Sequence, residues 1–325
     1  MPHPVTRRAV LAVSALFLAA AAAPAAAEYP ESPVTLVIPF AAGGSTDVVG
    51  RIVAERMGAE LGQQVIVQNV GGAGGSLGAG QVAQAEPDGY TILMGTVATH
   101  ALNPLILKQK PYDAVTDFAP VSLLVVVPNV LAVNPELPVT TVQELIDLAK
   151  SDPTLLAYAS SGNGTPLHLS GELFKAMAGV EITHIPYKGS GPALTDVLGN
   201  QVPVIFDNLP SASGHMTSGG LRALGVTTAE RAPSFPDLPS IAETLPGYET
   251  YTWNALFAPA GTPPEVVARL NDAAKVAMAD PAVVARMAEF SATIVASTPE
   301  ELAAHVDDEI AKWTPVVADA GVSMD

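Results

Sequence analysis

The chain has 325 residues, of which 49% are hydrophobic and 14% charged, and its formal net charge at pH 7 is −17. This length is enough for two domains with their own cores, and the composition excludes a disordered chain or a coiled coil. The excess of acidic residues argues against a nucleic-acid-binding protein, which needs a basic face for phosphates. The chain has no cysteine, which excludes disulfides, thiolate metal sites and cysteine nucleophiles.

The first 27 residues have the form of a secretory signal peptide. Arg7 and Arg8 precede an apolar stretch, residues 9–23, that is too short to span a bilayer, and small residues follow at 25–27. We expect cleavage after Ala27 and a soluble, exported product. Arg7-Arg8 also loosely resembles a twin-arginine signal, so both export routes remain open.

Short β-rich runs alternate with helical runs after the leader, a pattern typical of βαβ units and parallel sheets. In the first part of the chain the pattern predicts strands over 34–39, 65–70 and 90–94, a helix over 48–61, and a further helix near 81–85. Ligands bind beyond the carboxyl ends of parallel strands. We therefore expect the loops 41–47, 71–78 and 95–103 to lie at one rim of the sheet.

A second part of the chain begins after residue 119. Its predicted strands are 121–127 and 130–133, separated by a break at Pro128, and then 155–159, 182–186, 202–206 and 221–227. A strand over 251–257 is expected to return the chain to the first part. Predicted helices cover 141–150, a segment ending at 178, 264–279, 281–290 and 299–318. The two parts share a βαβ pattern without a clear sequence repeat.

Three loops rich in glycine and hydroxyl side chains have the composition of anion-binding loops: 43–47, 74–76 and 160–165. Glycine lets the backbone approach a ligand closely, and a following helix directs unpaired N–H groups toward it. Helix capping explains each loop individually, but three such loops together favour a small anion held in a cleft. Asp47 is either a ligand contact or a favourable charge at a helix N-terminus.

The segment 74–78 (GGSLG) matches the GxSxG pattern of serine hydrolases, with Ser76 as the candidate nucleophile. That nucleophile needs a sharp turn directly after a strand, whereas five residues separate Ser76 from Val70. An exported serine hydrolase that uses Ser76, with Asp207 and His215 following in the chain, is therefore the weaker alternative function.

No cofactor and no metal is expected. Residues 78–83 (GAGQVA) fit a dinucleotide-binding pattern, but the next strand ends without the acidic residue that holds a ribose. The histidines of the mature chain are scattered, without zinc-binding spacing. His100 and His168 lie beside the candidate loops, where an imidazole can donate to a carboxylate, and Asp207 ends a strand at the same predicted rim.

Several short motifs occur together in one known family. They are PFAAGGSTD at 39–47, GGAGG at 71–75, PDGYT at 87–91, DFAPV at 117–121, PYKG at 186–189, FDN at 206–208 and GTPP at 261–264. In this order they resemble the extracytoplasmic solute receptors of tripartite tricarboxylate transporters, often called Bug receptors. The resemblance extends from about Tyr29 to the C-terminus.

The resemblance implies a type II periplasmic binding protein: an α/β protein of two lobes, each a Rossmann-like sheet with flanking helices, joined by crossover strands. The first lobe is expected to comprise residues 28–126 and 253–325, and the second residues 127–252. Members of this family are receptors, not enzymes. They close on small carboxylates (di- and tricarboxylates, aromatic acids or some amino acids) and deliver them to two integral-membrane subunits. A monomeric periplasmic receptor is the expectation for this chain.

Carried over to this sequence, the resemblance implies ligand contacts from both lobes. The first lobe would contribute Phe40, Ser45, Thr46, Asp47, Ser76, Thr96 and Thr99. The second would contribute Ser161, Asn163, Gly164 and Thr165, with His168 and Asp207 nearby. None of the three loops contains arginine, which agrees with a carboxylate held by backbone N–H groups, hydroxyls and bridging waters.

Overall fold

The fold is that of a computed structural model, which describes residues 29–152 and 156–320 together with Met1. The expected signal peptide and its cleavage site lie outside these residues, Met1 apart. The strands are β1 (Val34–Ile38), β2 (Val65–Asn69), β3 (Thr91–Thr96), β4 (Phe118–Val133), β5 (Ala157–Ser160), β6 (Thr183–Pro186), β7 (Val204–Asn208), β8 (Arg222–Val226), β9 (Tyr251–Pro259) and β10 (Thr293–Ile294).

The helices follow most strands and alternate with them along the chain. They are α1 (Ser45–Leu61), α2 (Ser76–Ala83), α3 (Asn103–Ile106), α4 (Val142–Ser151), α5 (Pro166–Ala178), α6 (Ser190–Leu198), α7 (Leu209–Thr217), α8 (Pro264–Ala279), α9 (Pro281–Glu289) and α10 (Pro299–Ala320). Shorter helical turns cover Ala73–Gly75, Ala98–Leu102 and Ile241–Glu243.

The strands form two lobes with the same topology. In the first lobe the order is β2-β1-β3-β9-β4, with β1, β2 and β3 parallel and β9 antiparallel to both of its neighbours. In the second lobe the order is β6-β5-β7-β4-β8, where β5, β6 and β7 are parallel and β4 takes the place that β9 has in the first. Two βαβ halves of different sequence therefore share one strand order.

Strand β4 belongs to both lobes, and the predicted break at Pro128 is wrong. Pro128 pairs with Tyr251 at the end of the β9 ladder, and from Asn129 onward the strand pairs with β7. Proline cannot donate a ladder hydrogen bond, and here it lies where the strand changes partners. The expected lobe boundaries, 126/127 and 252/253, stay a prediction.

Two further differences from the predicted elements concern the rim of the sheet. Helix α1 begins at Ser45, three residues earlier than predicted, so that Ser45, Thr46 and Asp47 form its first turn. Most of the predicted loop 95–103 is helical, because a turn over Ala98–Leu102 follows β3 directly.

Helices cover both faces of each sheet and bury its apolar side chains. In the first lobe α1, α8 and α9 pack on one face, while α2 and α10 pack on the other. In the second lobe α4 and α5 cover one face, and α6 and α7 the other. This three-layer arrangement places the carboxyl ends of β1 and β3 opposite those of β5 and β7.

Candidate functional site

A small cavity of about 20 Å³ lies between the two lobes. Its lining comes from the carboxyl ends of strands and the first turns of the helices that follow. The lining residues are Phe40, Gly44, Ser45, Thr46, Thr96, Ser161, Pro166, Leu167, Ser190, Asn208 and Thr252.

Four helices begin at the cavity wall. The first residues of α1, α5 and α6 are Ser45, Pro166 and Ser190, and Asn208 precedes α7. No described side chain caps α1, α6 or α7. A helix N-terminus carries unpaired N–H groups and a partial positive charge, so the four together favour an anion.

Three hydroxyl groups in the lining lack a partner among the described residues: Ser45 Oγ, Thr96 Oγ1 and Thr252 Oγ1. Their residues are 2%, 2% and 5% exposed. Buried polar atoms are nearly always hydrogen-bonded, so these hydroxyls are available to a molecule in the cavity. None of the lining residues carries a charge, and any anion bound there must be held by neutral donors.

The lobes also touch each other beside the cavity. The backbone N–H of Ala41 donates to Lys188 O across the cleft at 3.0 Å. The residues after Lys188 pack against the loop after β1: a Cβ on Gly44 would lie 3.3 Å from the Cβ of Ser190. Backbone therefore approaches backbone closely at this contact.

Five of the thirteen candidate residues from the sequence line the cavity. They are Phe40, Ser45, Thr46, Thr96 and Ser161. The first four lie at the carboxyl ends of β1 and β3 or in the first turn of α1, and Ser161 follows β5.

Asp47 is engaged in the protein itself. Its Oδ2 accepts hydrogen bonds from Gly43 N and Arg51 Nε, both at 3.0 Å, and its Oδ1 accepts one from Asn69 Nδ2 at 2.9 Å. Burial acts in the opposite direction, but these hydrogen bonds lower the pKa of the Asp47 carboxyl. The arrangement fixes the turn before α1, as expected for a helix-terminal acid.

Ser76 and Thr99 likewise make local hydrogen bonds. Ser76 Oγ donates to Ala73 O at 2.8 Å, and Ser76 is 3% exposed. Thr99 Oγ1 accepts from Thr96 N at 2.9 Å and lies 2.9 Å from His100 Nδ1. The Ser76 hydroxyl thus donates to a carbonyl oxygen rather than to an imidazole, which gives the hydrolase alternative no support.

The loop after β5 is organised by its own side chains. Thr165 Oγ1 donates to Gly162 O at 2.8 Å and accepts from His168 N at 3.3 Å, which caps α5. Gly164 N donates to His168 Nδ1 at 3.2 Å. Asn163 is exposed. Burial lowers the pKa of His168, whose ring stacks on His184 with a centroid distance of 4.1 Å.

Asp207 lies directly behind the cavity wall. One carboxyl oxygen accepts a hydrogen bond from Ser190 Oγ, and the other accepts one from Ser211 Oγ at 2.8 Å. Asp207 is fully buried, and this burial raises the pKa of its carboxyl to about 6.

Six lining residues are absent from the individually named candidates, although Gly44 belongs to the predicted anion-binding loop 43–47: Gly44, Pro166, Leu167, Ser190, Asn208 and Thr252. Asn208 directly follows Asp207, and Gly44, Pro166 and Leu167 adjoin other candidates, so their position along the chain could have indicated them. Ser190 follows the PYKG motif. No sequence signal indicates Thr252, which reaches the cavity because β9 lies between β3 and β4.

Among the described residues, no three or more His, Asp or Glu side chains are grouped so as to hold a metal ion. No described helix combines the length and apolarity needed to cross a membrane.

Comparison with known proteins gives consistent results. A family model described as "Tripartite tricarboxylate transporter family receptor" matches residues 49–322. Protein BugT of Bordetella pertussis is 39% identical over 320 residues, which cover 97% of this chain and 98% of that protein.

Solved structures resemble the chain over most of its length. The periplasmic binding protein BugD is 38% identical with a TM-score of 0.89, over 91% of this chain and 100% of that structure. An R. palustris protein with adipate is 42% identical with a TM-score of 0.88, over 91% and 99%. MatC from Rhodopseudomonas palustris with bound malate is 35% identical with a TM-score of 0.85, over 89% and 100%. The expected two-lobed type II periplasmic binding protein fold is thereby confirmed.

Proposed function

Since the chain belongs to the tripartite tricarboxylate transporter receptor family, we propose that it binds a small carboxylate between its lobes and delivers it to a membrane transporter. The family consists of solute-binding receptors rather than enzymes. Related structures contain adipate and malate, which supports an organic acid as the ligand class.

The observation that carries this proposal is a set of three hydroxyls, on Ser45, Thr96 and Thr252, that find no partner in the described part of the chain. They line a cavity where four helices begin. Hydroxyl and backbone donors suit carboxylate oxygens, and the helix N-termini supply partial positive charge. The apolar side chains of Phe40 and Leu167 supply contact for a short carbon skeleton.

Delivery follows from closure of two lobes. A ligand that touches both lobes stabilises the closed arrangement by its differential affinity for it. We propose that residues 28–126 and 253–325 move against residues 127–252, and that two integral-membrane subunits recognise the closed monomer. We propose that residues 1–27 direct export to the periplasm and are then removed by cleavage after Ala27.

A thermal-shift screen of the chain from Glu28 tests the proposal. The panel contains adipate, malate, citrate, benzoate and glutamate, with glucose as a neutral control. A ligand at about 100 times its Kd adds about 2.7 kcal/mol of stability. At about 2–4 °C per kcal/mol, the unfolding temperature should rise by several degrees. A rise with an acid and none with glucose supports the proposal, and no rise with any acid contradicts it.

Thr252→Val identifies the site of binding. The substitution keeps the shape of the side chain and removes a hydroxyl available to the ligand. A hydrogen bond to a charged group contributes about 1.5–3 kcal/mol, so calorimetry should show about 10- to 100-fold weaker binding. Thr314→Val, on the exposed side of α10, is the matched control and should bind as the wild type does. Unchanged affinity in Thr252→Val places the ligand elsewhere.

A further inference from the structure

The Ser190 hydroxyl stands between the cavity and a buried carboxyl group. Ser190 is 4% exposed and lines the cavity, and its Oγ is hydrogen-bonded to Asp207 Oδ1. A serine hydroxyl has one proton to donate. While Asp207 is ionised, that proton is donated to Asp207, and Ser190 presents only lone pairs to the cavity.

An anion in the cavity cannot use Ser190 in that state. Its oxygens would face the lone pairs of Ser190, with the negative charge of Asp207 directly behind them. No charged side chain in the lining compensates this second negative charge. When two carboxylates are separated only by a hydroxyl group, their repulsion favours the protonated form of one of them.

We propose that Asp207 takes up one proton when a carboxylate binds, which reverses the Ser190–Asp207 hydrogen bond and makes Ser190 a donor to the ligand. The proton comes from solvent and attaches to Oδ1 of Asp207, which then donates to Ser190 Oγ. Ser190 in turn donates its own proton to the ligand carboxylate, and no covalent bond between heavy atoms changes. This inference rests on the proposed function and assigns Asp207 as a positioning residue for the bound anion.

The surroundings of Asp207 suit this role. Burial raises the pKa of its carboxyl to about 6, against the opposing hydrogen bonds from Ser190, Ser211 and the Asn208 backbone. If ligand binding raises the pKa of Asp207 further by a modest amount, Asp207 changes from ionised to protonated at neutral pH.

Other ionisable groups lie on the elements that pack against β7, the strand of Asp207. Those on elements against β7 are Tyr158 on β5, His168, Glu172 and Lys175 on α5, Asp196 on α6 and His215 on α7; β4 has none. Glu172 is paired with Lys175 at 2.9 Å, and Asp196 accepts from Tyr187 OH at 2.6 Å. Across the cavity, Asp47 on α1 is paired with Arg51 at 2.9 Å. Among these acids, Asp207 differs in accepting a hydrogen bond from a hydroxyl group, that of Ser190, that itself lines the cavity.

Calorimetry in two buffers of different ionisation enthalpy, PIPES and imidazole, measures the proton uptake. The probes are adipate, malate, citrate, benzoate and glutamate, each titrated at several pH values between about 6 and 8. We expect about one proton to be taken up near neutral pH, with affinity falling by up to about tenfold per pH unit above about pH 6.

Asp207→Asn is the decisive variant. Its amide can donate to Ser190 while its oxygen accepts from Ser211, so Ser190 always donates to the ligand. We expect affinity close to that of the wild type at low pH, no dependence on pH, and no buffer-dependent heat. Any proton taken up by the ligand itself would persist in this variant.

Ser211→Ala tests the same idea without altering either partner of the Ser190–Asp207 hydrogen bond. Loss of the Ser211 donor raises the pKa of Asp207, so the pH profile of binding should move to higher pH. Binding without proton uptake in the wild type, or uptake as large in Asp207→Asn as in the wild type, overturns the inference and leaves the proposed function intact. If none of the five acids gives a heat of binding, both the inference and the proposed function are contradicted.

Discussion

A Cβ atom added to Gly191 would lie 2.1 Å from the carbonyl oxygen of Ala42, which belongs to the other lobe. Gly191 is the second residue of α6 and its φ is not positive, so its own lobe accommodates an alanine. The opposing atom belongs to backbone and cannot rotate away. Glycine at this position therefore permits the lobes to approach as they do.

Gly191→Ala should leave each lobe folded and weaken ligand binding. The added methyl group destabilises only the arrangement in which Gly191 and Ala42 of the two lobes are in contact, and overpacking of this kind costs about 1–3 kcal/mol. Affinity should fall by about tenfold or more, as measured by calorimetry with the best ligand from the thermal screen. Gly214→Ala, on α7 with no atom within 4 Å of the added Cβ, is the control. Equal affinity in the two variants contradicts a role for Gly191 in closure.

Thr165→Val should affect stability rather than binding, the reverse of Thr252→Val. The Thr165 hydroxyl is fully buried, caps α5 and donates to Gly162 O. Loss of a helix cap costs about 0.5–2 kcal/mol, which urea unfolding of the ligand-free protein will measure. If Thr165→Val instead loses ligand affinity at unchanged stability, its hydroxyl contacts the ligand.

Glu309 connects α10 to the crossover strand β9. The carboxylate is 3% exposed and accepts from Trp253 Nε1 at 3.0 Å, Trp313 Nε1 at 3.2 Å and Tyr251 OH at 3.0 Å. Since side chains alternate along a strand, holding Tyr251 and Trp253 on the α10 side directs Thr252 toward the cavity.

Glu309→Ala should destabilise the protein strongly. It leaves two indole N–H groups without their acceptor, and each unsatisfied buried donor costs about 1–3 kcal/mol. We expect about 2–5 kcal/mol from urea unfolding, with a smaller loss for Glu309→Gln, which keeps one acceptor oxygen. Asp308→Ala, at the neighbouring exposed position, should change stability by less than about 0.5 kcal/mol. A loss below about 1 kcal/mol for Glu309→Ala would show that other contacts hold α10 in place.

Local patterns were sufficient to predict most elements of the fold. The alternation of apolar runs and helical spacing located β1 and β2 to within one residue, and the resemblance supplied the two-lobed architecture. The continuity of β4 through Pro128 could not be predicted, because a missing N–H is harmless only where the strand changes partners. That exchange depends on the position of β9, which is distant in the sequence.

The candidate site could be predicted only in part, because some of its features are local in the sequence and others depend on the fold. Strand ends and helix starts are local features, and they indicated the rim loops that contain Ser45 and Thr96, whereas Phe40 was named only from the family resemblance. Whether a hydroxyl faces the cavity or bonds its own loop depends on the folded backbone. Thr165 and Thr99 satisfy their hydroxyls locally, while Thr252 does not, although no sequence pattern separates the three.

Acid should destabilise the protein through His100, which is fully buried and stacked on Phe257 at a centroid distance of 3.7 Å. Burial lowers the pKa of His100 to about 3, whereas the unfolded chain has a pKa near 6.5. The unfolded state therefore binds more protons below about pH 6.5, and stability is lost as the pH falls from there toward about 3. The slope is about 1–1.5 kcal/mol per pH unit.

His100→Phe should reduce the loss of stability in acid, as measured by urea unfolding at neutral pH and at about pH 4.5. The ring keeps its stacking on Phe257, and the group that resists protonation is removed. Burial, with the nearby His168 and Lys175, lowers the pKa of His184 to about 3 as well, so part of the acid sensitivity should remain. His215→Phe, at a half-buried position on α7, serves as the control and should keep the wild-type slope. If His100→Phe loses stability as steeply as the wild type between the two pH values, His100 is not the group that limits acid stability.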